Sequence, residues 1–167
     1  MVNEPSTLSV SIESYCDIVA QGEFPRAYRG ILAQLTLFQS AWGQAHPIDN
    51  VGALYPGYLD MSFVAFAPPE LAKQNLKISL VFLHDSGTFS LWLVARNRGI
   101  QKSVSEALKS VPLGKYRLTV LEPGVDAIIE SALEKPYAFD DPALLTARLM
   151  KSAEVFTQDM IALVSSL

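Results

Sequence analysis

The chain has 167 residues, half of them hydrophobic, and its formal net charge is −4. This length favours one domain over residues 1–167, large enough to fold without a disulfide or a structural metal. The acidic balance, with a pI near 5.1, argues against nucleic acid as a partner, and the mean hydropathy of +0.23 favours a homo-oligomer.

The sequence also indicates where the protein resides. Asn3-Glu4-Pro5 lacks the basic start and apolar centre of a signal peptide. No apolar run reaches the roughly 18 residues that a membrane span requires. The one cysteine, Cys16, cannot form an internal disulfide, and we expect it to be a small buried apolar residue. These features predict a cytoplasmic protein without membrane contact.

The first part of the chain predicts two helices. Apolar residues repeat at helical spacing from Leu8 to Val19, and Gly22 follows as a stop. Pro25 suits the first turn of a second helix, whose apolar stripe extends from Tyr28 to Trp42. The short connection at Gly22 predicts that the two helices form an antiparallel hairpin.

The middle of the chain predicts three β-strands, at residues 58–66, 76–84 and 88–96. Asp85-Ser86-Gly87 is typical of a hairpin turn between the second and third strands. Both of these strands are apolar on both faces near their centres. We therefore expect helices on both sides of the sheet, or a helix layer on one side and a partner subunit on the other.

The register of this hairpin is not determined by the sequence pattern. Because side chains alternate between faces, a shift of one residue moves a whole set of side chains to the other face. The register decides whether Lys77 shares a face with Trp92 and Arg96.

The last part of the chain adds helices and a candidate fourth strand. Residues 100–111 predict a helix, 116–121 a candidate strand, and 125–133 a short helix. Asp141 before Pro142 predicts the start of a final helix that extends towards Leu167. The sequence therefore predicts an α+β domain with a central, mostly antiparallel sheet of three to four strands and about five helices.

Several segments together form a recognisable pattern; they are 27–30 (AYRG), 57–62 (GYLDMS), 76–82 (LKISLVF), Trp92-Leu93, Arg96-Asn97-Arg98 with Ile100-Gln101, and Gly124-Val125-Asp126 to Glu130. The pattern resembles an uncharacterised family of small bacterial cytoplasmic proteins, a domain of unknown function, over nearly the whole chain. The resemblance implies a bacterial cytoplasmic protein and supplies no catalytic residues.

The junction between the third strand and the following helix is the strongest candidate site. The Arg-Asn-Arg-Gly sequence from Arg96 leads into the helix, where free backbone N–H groups favour anions. We expect Arg96, Asn97 and Arg98, with Lys77 and Trp92, to bind a small anionic ligand. In the alternative interpretation, Asn97 merely caps the helix and the two arginines are solvated or paired with acidic surface residues.

A second candidate cluster depends on the order of the strands. If the three strands lie in sequence order and are antiparallel, one sheet edge collects Tyr58, Asp60, His84 and Asp85. These residues could form an acid/base pair or a metal site. The simpler interpretation, which we adopt, makes Asp85 a turn residue and His84 a strand end, with no metal and no cofactor.

Several catalytic signatures are absent from the sequence, including the P-loop, GxGxxG, Gly-x-Ser-x-Gly, HExxH and CxxC. Ser62 and Ser90 have no histidine at a readable spacing, so nucleophilic hydrolysis has no support. The sequence therefore predicts a non-enzymatic binding or interaction module and no assignable catalytic residue.

An alternative is suggested by the order of the elements: helix, three strands, helix, strand. This order is similar to the core of restriction-endonuclease-like nucleases, which hold magnesium with acids on the second and third strands. Here the third strand contains Ser90-Leu91-Trp92, and the second strand has no acid before Asp85. The alternative is therefore such a fold with a lost or divergent metal-dependent nuclease site.

Overall fold

A computed structural model describes residues 7–167 and shows an α+β fold. The sheet has five antiparallel strands arranged in sequence order, so each strand lies beside its neighbour in sequence. The helices are α1 (Leu8–Ala20), α2 (Glu23–Ala45), α3 (Pro69–Ala72), α4 (Arg98–Leu108) and α5 (Pro142–Ser165). The strands are β1 (Asn50–Val51), β2 (Met61–Ala67), β3 (Leu76–Leu83), β4 (Thr88–Ala95) and β5 (Ala127–Ala132). The predicted fold class is confirmed, with one strand more than expected.

The hairpin between β3 and β4 is the longest pairing in the sheet. Leu83 pairs with Thr88 beside the turn, and Leu76 pairs with Ala95 at the far end. Gly87 closes the turn with φ of +62°, and its N–H donates to Leu83 O at 2.9 Å. Because glycine has no Cβ, it adopts this positive φ without steric cost. The predicted hairpin signal is therefore confirmed.

One face of the sheet carries the hydrophobic core, and we call it the helix-covered face. Its buried sheet residues join those of α2 and α5 in one cluster. The Phe66 ring lies 5.8 Å from the Phe38 ring and 4.1 Å from the Trp42 ring of α2, measured between centroids. The sheet residues of this face include Val64, Phe66, Ile78, Leu80, Phe82, Phe89, Leu91 and Leu93.

The opposite face, which we call the open face, carries alternating residues of the same strands. Val81 is fully buried there and Val94 nearly so, while Phe63 and Trp92 are partly exposed. Helices α2 and α5 both pack on the helix-covered face. Strands β3 and β4 therefore have a helix layer on one side and the open face on the other.

Two helices begin at side-chain caps: Asn97, as in the alternative interpretation of the junction, and the predicted cap Asp141. The Asn97 side chain accepts a hydrogen bond from Ile100 N at 2.9 Å, and Asp141 accepts one from Leu144 N at 3.1 Å. Each satisfies a backbone donor that the first helical turn leaves free. Pro142 follows Asp141 in the first turn of α5, as predicted.

The prediction of a helix at 125–133 is wrong, because Ala127–Ala132 is strand β5 and pairs with β4. The candidate strand at 116–121 makes only one bridge, from Leu118 to Ile129. Three consecutive residues from Ala127 are buried, and a short apolar run has no periodicity that separates a buried strand from a helix. The edge of β4 decides between strand and helix, because only a neighbouring strand can pair with the backbone N–H and C=O groups along that edge.

Helix α1 has no buried residue, and it packs against α2. The predicted burial of Cys16 is wrong, because this cysteine is exposed. The exposed fractions of Leu8, Ile12 and Tyr15 are 76%, 52% and 55%. The apolar spacing predicted the helix correctly, but it did not predict that the apolar side chains are exposed.

Residues 7–167 contain no helix with the length and apolar character needed to cross a bilayer. The expected absence of a signal peptide concerns residues 1–6, which lie outside the described range.

The first long strand begins at Met61 rather than at Tyr58, because a tight turn precedes it. Leu59 has φ of +67°, and the Asp60 carboxylate accepts a hydrogen bond from Tyr58 N at 2.9 Å. Gly57 has φ of +70°, and a Cβ on it would lie 1.8 Å from Met61 O. The backbone fold of this turn thus requires glycine at position 57.

We expect Gly57→Ala to lower the free energy of unfolding by more than about 3 kcal/mol, because the added methyl group clashes with backbone. Gly114→Ala is the matched control, since Gly114 has φ of +61° but open space around a Cβ. This control should cost about 1 kcal/mol, the penalty of positive φ alone. Urea unfolding of both variants measures the difference, and equal costs would contradict the clash.

Candidate functional site

A cavity of about 300 Å³ lies on the open face, and we call it the sheet cavity. This volume is at the lower end of the range for small-molecule sites. Its floor comes from three adjacent strands, and its rim comes from the end of β4, the start of α4 and the loop before β5. The lining residues are Met61, Phe63, Lys77, Ser79, Val81, Trp92, Val94, Ala95, Arg96, Asn97, Arg98, Gln101 and Asp126.

All five residues of the predicted anion site line this cavity. The hairpin register explains why they meet. Lys77 pairs with Val94 and Ser79 pairs with Trp92, so these side chains share the open face. Arg96 lies two residues beyond Val94, and the chain enters α4 immediately afterwards. The register that the sequence left undetermined is therefore the one that places Lys77, Trp92 and Arg96 together.

Arg98 forms part of the wall of the cavity, held by a dense set of hydrogen bonds. Its guanidinium donates to Gln101 Oε1 at 2.8 Å, to Asp126 Oδ1 at 3.0 Å and to the carbonyl of Val125. Gln101, with 4% of its surface exposed, donates to the carbonyls of Val125 and Asp126 at 2.9 and 3.0 Å. These bonds tie the start of α4 to the loop before β5, and Asp126 offsets the charge of Arg98.

The positive charges that remain available at the rim are those of Lys77 and Arg96. Within residues 7–167, neither side chain makes a hydrogen bond or an ion pair. The lining contains three cations and one carboxylate, a surplus of two positive charges in a protein whose net charge is −4. The amide oxygen of Asn97 is already engaged in capping α4. Anion binding at this rim would therefore rest on Lys77 and Arg96.

Sequence reasoning missed Ser79 as a site residue. Ser79 is 4% exposed and lines the cavity floor, yet its hydroxyl has no hydrogen-bond partner within residues 7–167. The hydroxyl oxygen is still reached from the cavity, so it is available to donate a hydrogen bond to a ligand there. The signal in the sequence was a serine in the middle of an apolar strand, two residues from Lys77.

The second predicted cluster is only partly assembled. Asp60 O accepts a hydrogen bond from His84 N at 3.0 Å, and the Asp60 carboxylate accepts one from Tyr58 N. The Tyr58 side chain is 88% exposed, and Asp85 is exposed in the hairpin turn. In the described part of the chain, no group of three or more His, Cys, Asp or Glu side chains is placed to hold a metal ion.

Ser62, which has no histidine at a readable spacing in the sequence, has one as a neighbour in the structure: Ser62 Oγ lies 2.8 Å from His84 Nε2. The spacing of 22 residues along the chain concealed this contact, which the pairing of β2 with β3 creates. The Ser62 hydroxyl donates to Pro56 O at 2.6 Å, so Nε2–H of His84 must donate to Ser62. A histidine in that tautomer cannot accept the serine proton, and Ser62 is fully buried. The pair therefore holds the turn at residues 57–60 against the sheet.

The electrostatics of this second cluster follow from its hydrogen bonds and burial. Backbone N–H groups of Tyr58 and Met61 lower the pKa of the Asp60 carboxyl. Burial lowers the pKa of His84 below its ordinary value of 6.5, and the Asp60 charge opposes this shift. Neutral His84 and ionised Asp60 are the forms that the structure favours near neutral pH.

Comparison with known proteins adds a family. A family model described as a domain of unknown function (DUF7000) matches residues 8–164, a range that includes every residue lining the sheet cavity. The resemblance to a domain of unknown function is thereby confirmed. No similar curated protein and no similar solved structure was found.

We expect His84 to titrate below pH 6.5 in the folded protein, since partial burial disfavours its imidazolium form. Between the folded and unfolded pKa values the unfolded state binds more protons. The contribution of His84 to stability is therefore full above pH 6.5 and is lost as the pH falls through its folded pKa. Proton NMR titration measures this pKa, with His84→Gln identifying the resonance. A midpoint above 6.5 would contradict the assignment.

Proposed function

Because the chain belongs to the DUF7000 family, whose description names no activity, we propose its function from the geometry of the sheet cavity. We propose a non-enzymatic binding module that holds a small anionic ligand in this cavity. Lys77 and Arg96 supply the charge, Ser79 supplies a hydrogen bond, and Arg98 shapes the wall.

One observation carries the proposal: the hydroxyl of Ser79 lies unpaired in the floor of a cavity whose rim bears two unpaired cations. An anion at the rim would pair with Lys77 and Arg96 and accept a hydrogen bond from Ser79. Charge-assisted hydrogen bonds of this kind are about twice as strong as neutral ones.

Binding fits the cavity better than catalysis does. Proton transfer requires a free acid or base within hydrogen-bond reach of the reacting atom. The carboxylate in the lining belongs to Asp126, which pairs with Arg98, and the lining contains no histidine and no cysteine. A lysine and an arginine with a serine between strands are suited to hold an anion rather than to transform it.

We also propose that the protein resides in the bacterial cytoplasm. The thiol of Cys16 is exposed and free, which suits a reducing compartment. Because the chain has one cysteine, it has no internal disulfide that would require an oxidising compartment.

Thermal unfolding with a panel of small inorganic and organic anions tests the anion site. An anion present at 100 times its Kd stabilises the folded state by about 2.7 kcal/mol, which raises Tm by roughly 5–11 °C for a chain of this size. Arg96→Ala and Lys77→Ala should each remove most of the shift. Lys102→Ala is the matched control, because Lys102 is an exposed cation of α4 outside the cavity lining, and it should keep the shift.

Two results would contradict the anion site. The first is a panel that leaves Tm of the wild-type protein unchanged. The second is a shift that persists in the Arg96→Ala, Lys77→Ala double variant, since the anion would then bind elsewhere.

A second copy of the chain is the other partner that we propose. The apolar stripe of α1 is half or more exposed at Leu8, Ile12 and Tyr15, and a matching surface on another copy would bury it. We expect sedimentation to show a dimer that Ile12→Lys dissociates. Glu13→Lys, which introduces the same residue at the next position, should leave the dimer intact. A wild-type monomer at high concentration would contradict the interface.

A further inference from the structure

The two ends of the sheet cavity differ in chemistry, and the strand register shows how. Along β3 the open face presents Lys77, then Ser79, then Val81. On the neighbouring chain segment, Arg96 directly follows β4 and its N–H donates to Asn75 O, two residues before Lys77. Val94 lies opposite Lys77, and Trp92 lies opposite Ser79. Both available cations therefore lie at one end of the cavity.

The other end of the floor is apolar. Phe63 pairs with Val81 and Met61 pairs with Leu83, so the β2 residues of the floor lie beside the apolar half of β3. Val81 and Lys77 are four residues apart, which separates their Cα atoms by about 13 Å in an extended strand. Polarity thus falls along the strand direction over a distance comparable with the length of a small organic molecule.

Trp92 contributes apolar surface rather than a polar contact. Its indole N–H already donates to Ser90 Oγ at 3.0 Å, which satisfies the one polar atom of the side chain and fixes the ring. Trp92 is partly exposed and lines the cavity opposite Ser79 in the register. A ligand that contacts Trp92 therefore meets the apolar surface of an aromatic ring.

Ser79 lies between the two ends. It pairs with Trp92 on one side and with Ala65 on the other, in the centre of the floor. The residue is 4% exposed, and its hydroxyl lines the cavity without a partner within residues 7–167, so it is available to an acceptor on a ligand. The position next to Lys77 along β3 places this acceptor on the anionic part of the ligand.

We propose that the ligand of the sheet cavity is an amphipathic organic anion, with a compact apolar body and one anionic head. The head binds Lys77 and Arg96 and accepts a hydrogen bond from Ser79. The body lies on Val81, Phe63 and Trp92. This inference rests on the proposed anion-binding function and narrows it, because a bare inorganic anion would leave the apolar end of the cavity in contact with water.

Binding of matched compounds to the full chain tests the inference by calorimetry. Hexanoate and phenylacetate carry both parts, acetate and inorganic phosphate carry a head alone, and hexanamide and phenylacetamide carry a body with a neutral head. We expect hexanoate and phenylacetate to bind at least about tenfold more tightly than either the head-only or the neutral compounds, a ratio that corresponds to about 1.4 kcal/mol.

Three variants separate the parts of the site, and the Tm of each without ligand first shows that it folds. Arg96→Gln should remove the preference for the acids over the amides. Trp92→Leu should remove the preference for the long acids over acetate. Ser79→Ala, which deletes a single hydroxyl, should weaken the acids more than the amides, because a carboxylate is a stronger acceptor than an amide carbonyl.

The outcomes distinguish the inference from the function on which it rests. If acetate or phosphate binds as tightly as the long acids, and Arg96→Gln abolishes that binding, the amphipathic ligand is refuted and the anion site stands. If the amides bind as tightly as the acids, or if no compound binds, both the inference and the anion site are refuted.

Discussion

The register of the β3–β4 hairpin is the constraint on which the rest of the structure depends. It pairs Leu80 with Leu91 on the helix-covered face and Ser79 with Trp92 on the open face. A slip of one residue would expose the core set of one strand and bury Lys77. The burial of the core against α2 and α5 therefore fixes the register, and the register in turn brings together the cations and the apolar floor of the sheet cavity.

The buried polar side chains around this sheet have different roles, which their hydrogen bonds reveal. Gln101 and Ser62 are satisfied within the protein, the first by the loop before β5 and the second by Pro56 and His84. They hold backbone in place, and the Ser62–His84 pair does so despite its likeness to a catalytic dyad. Ser79 is as little exposed as Gln101, but it has no partner within residues 7–167, and its hydroxyl is reached from the cavity. This hydroxyl is therefore available to a ligand of the proposed kind.

The cavity rim carries a positive charge, although the protein as a whole is negatively charged. Asp126 neutralises Arg98, while Lys77 and Arg96 remain unpaired within residues 7–167 and leave a local surplus of two positive charges. Long-range attraction of anions by the whole molecule is weak because its net charge is −4. Affinity would therefore come from short-range contacts at the cavity. Lys77 and Arg96 are both exposed, so solvent weakens each ion pair, and the apolar floor next to them supplies further contact area.

The sequence by itself determined the local elements: the helix caps at Asn97 and Asp141, the three long strands, and the basic junction at Arg96. Each follows from interactions within a few residues along the chain. The sequence did not determine that 127–132 is a strand, because a short apolar run fits a strand or a helix equally well. The edge of β4, which needs a pairing partner, makes it a strand.

The five residues predicted for the site were named from the sequence, but their grouping depends on cross-strand pairing, which no local pattern encodes. The unpaired state of Ser79 and the neutralised state of Arg98 likewise arise from residues distant in sequence. Tertiary structure decided these points because hydrogen-bond satisfaction and charge pairing are properties of the assembled sheet.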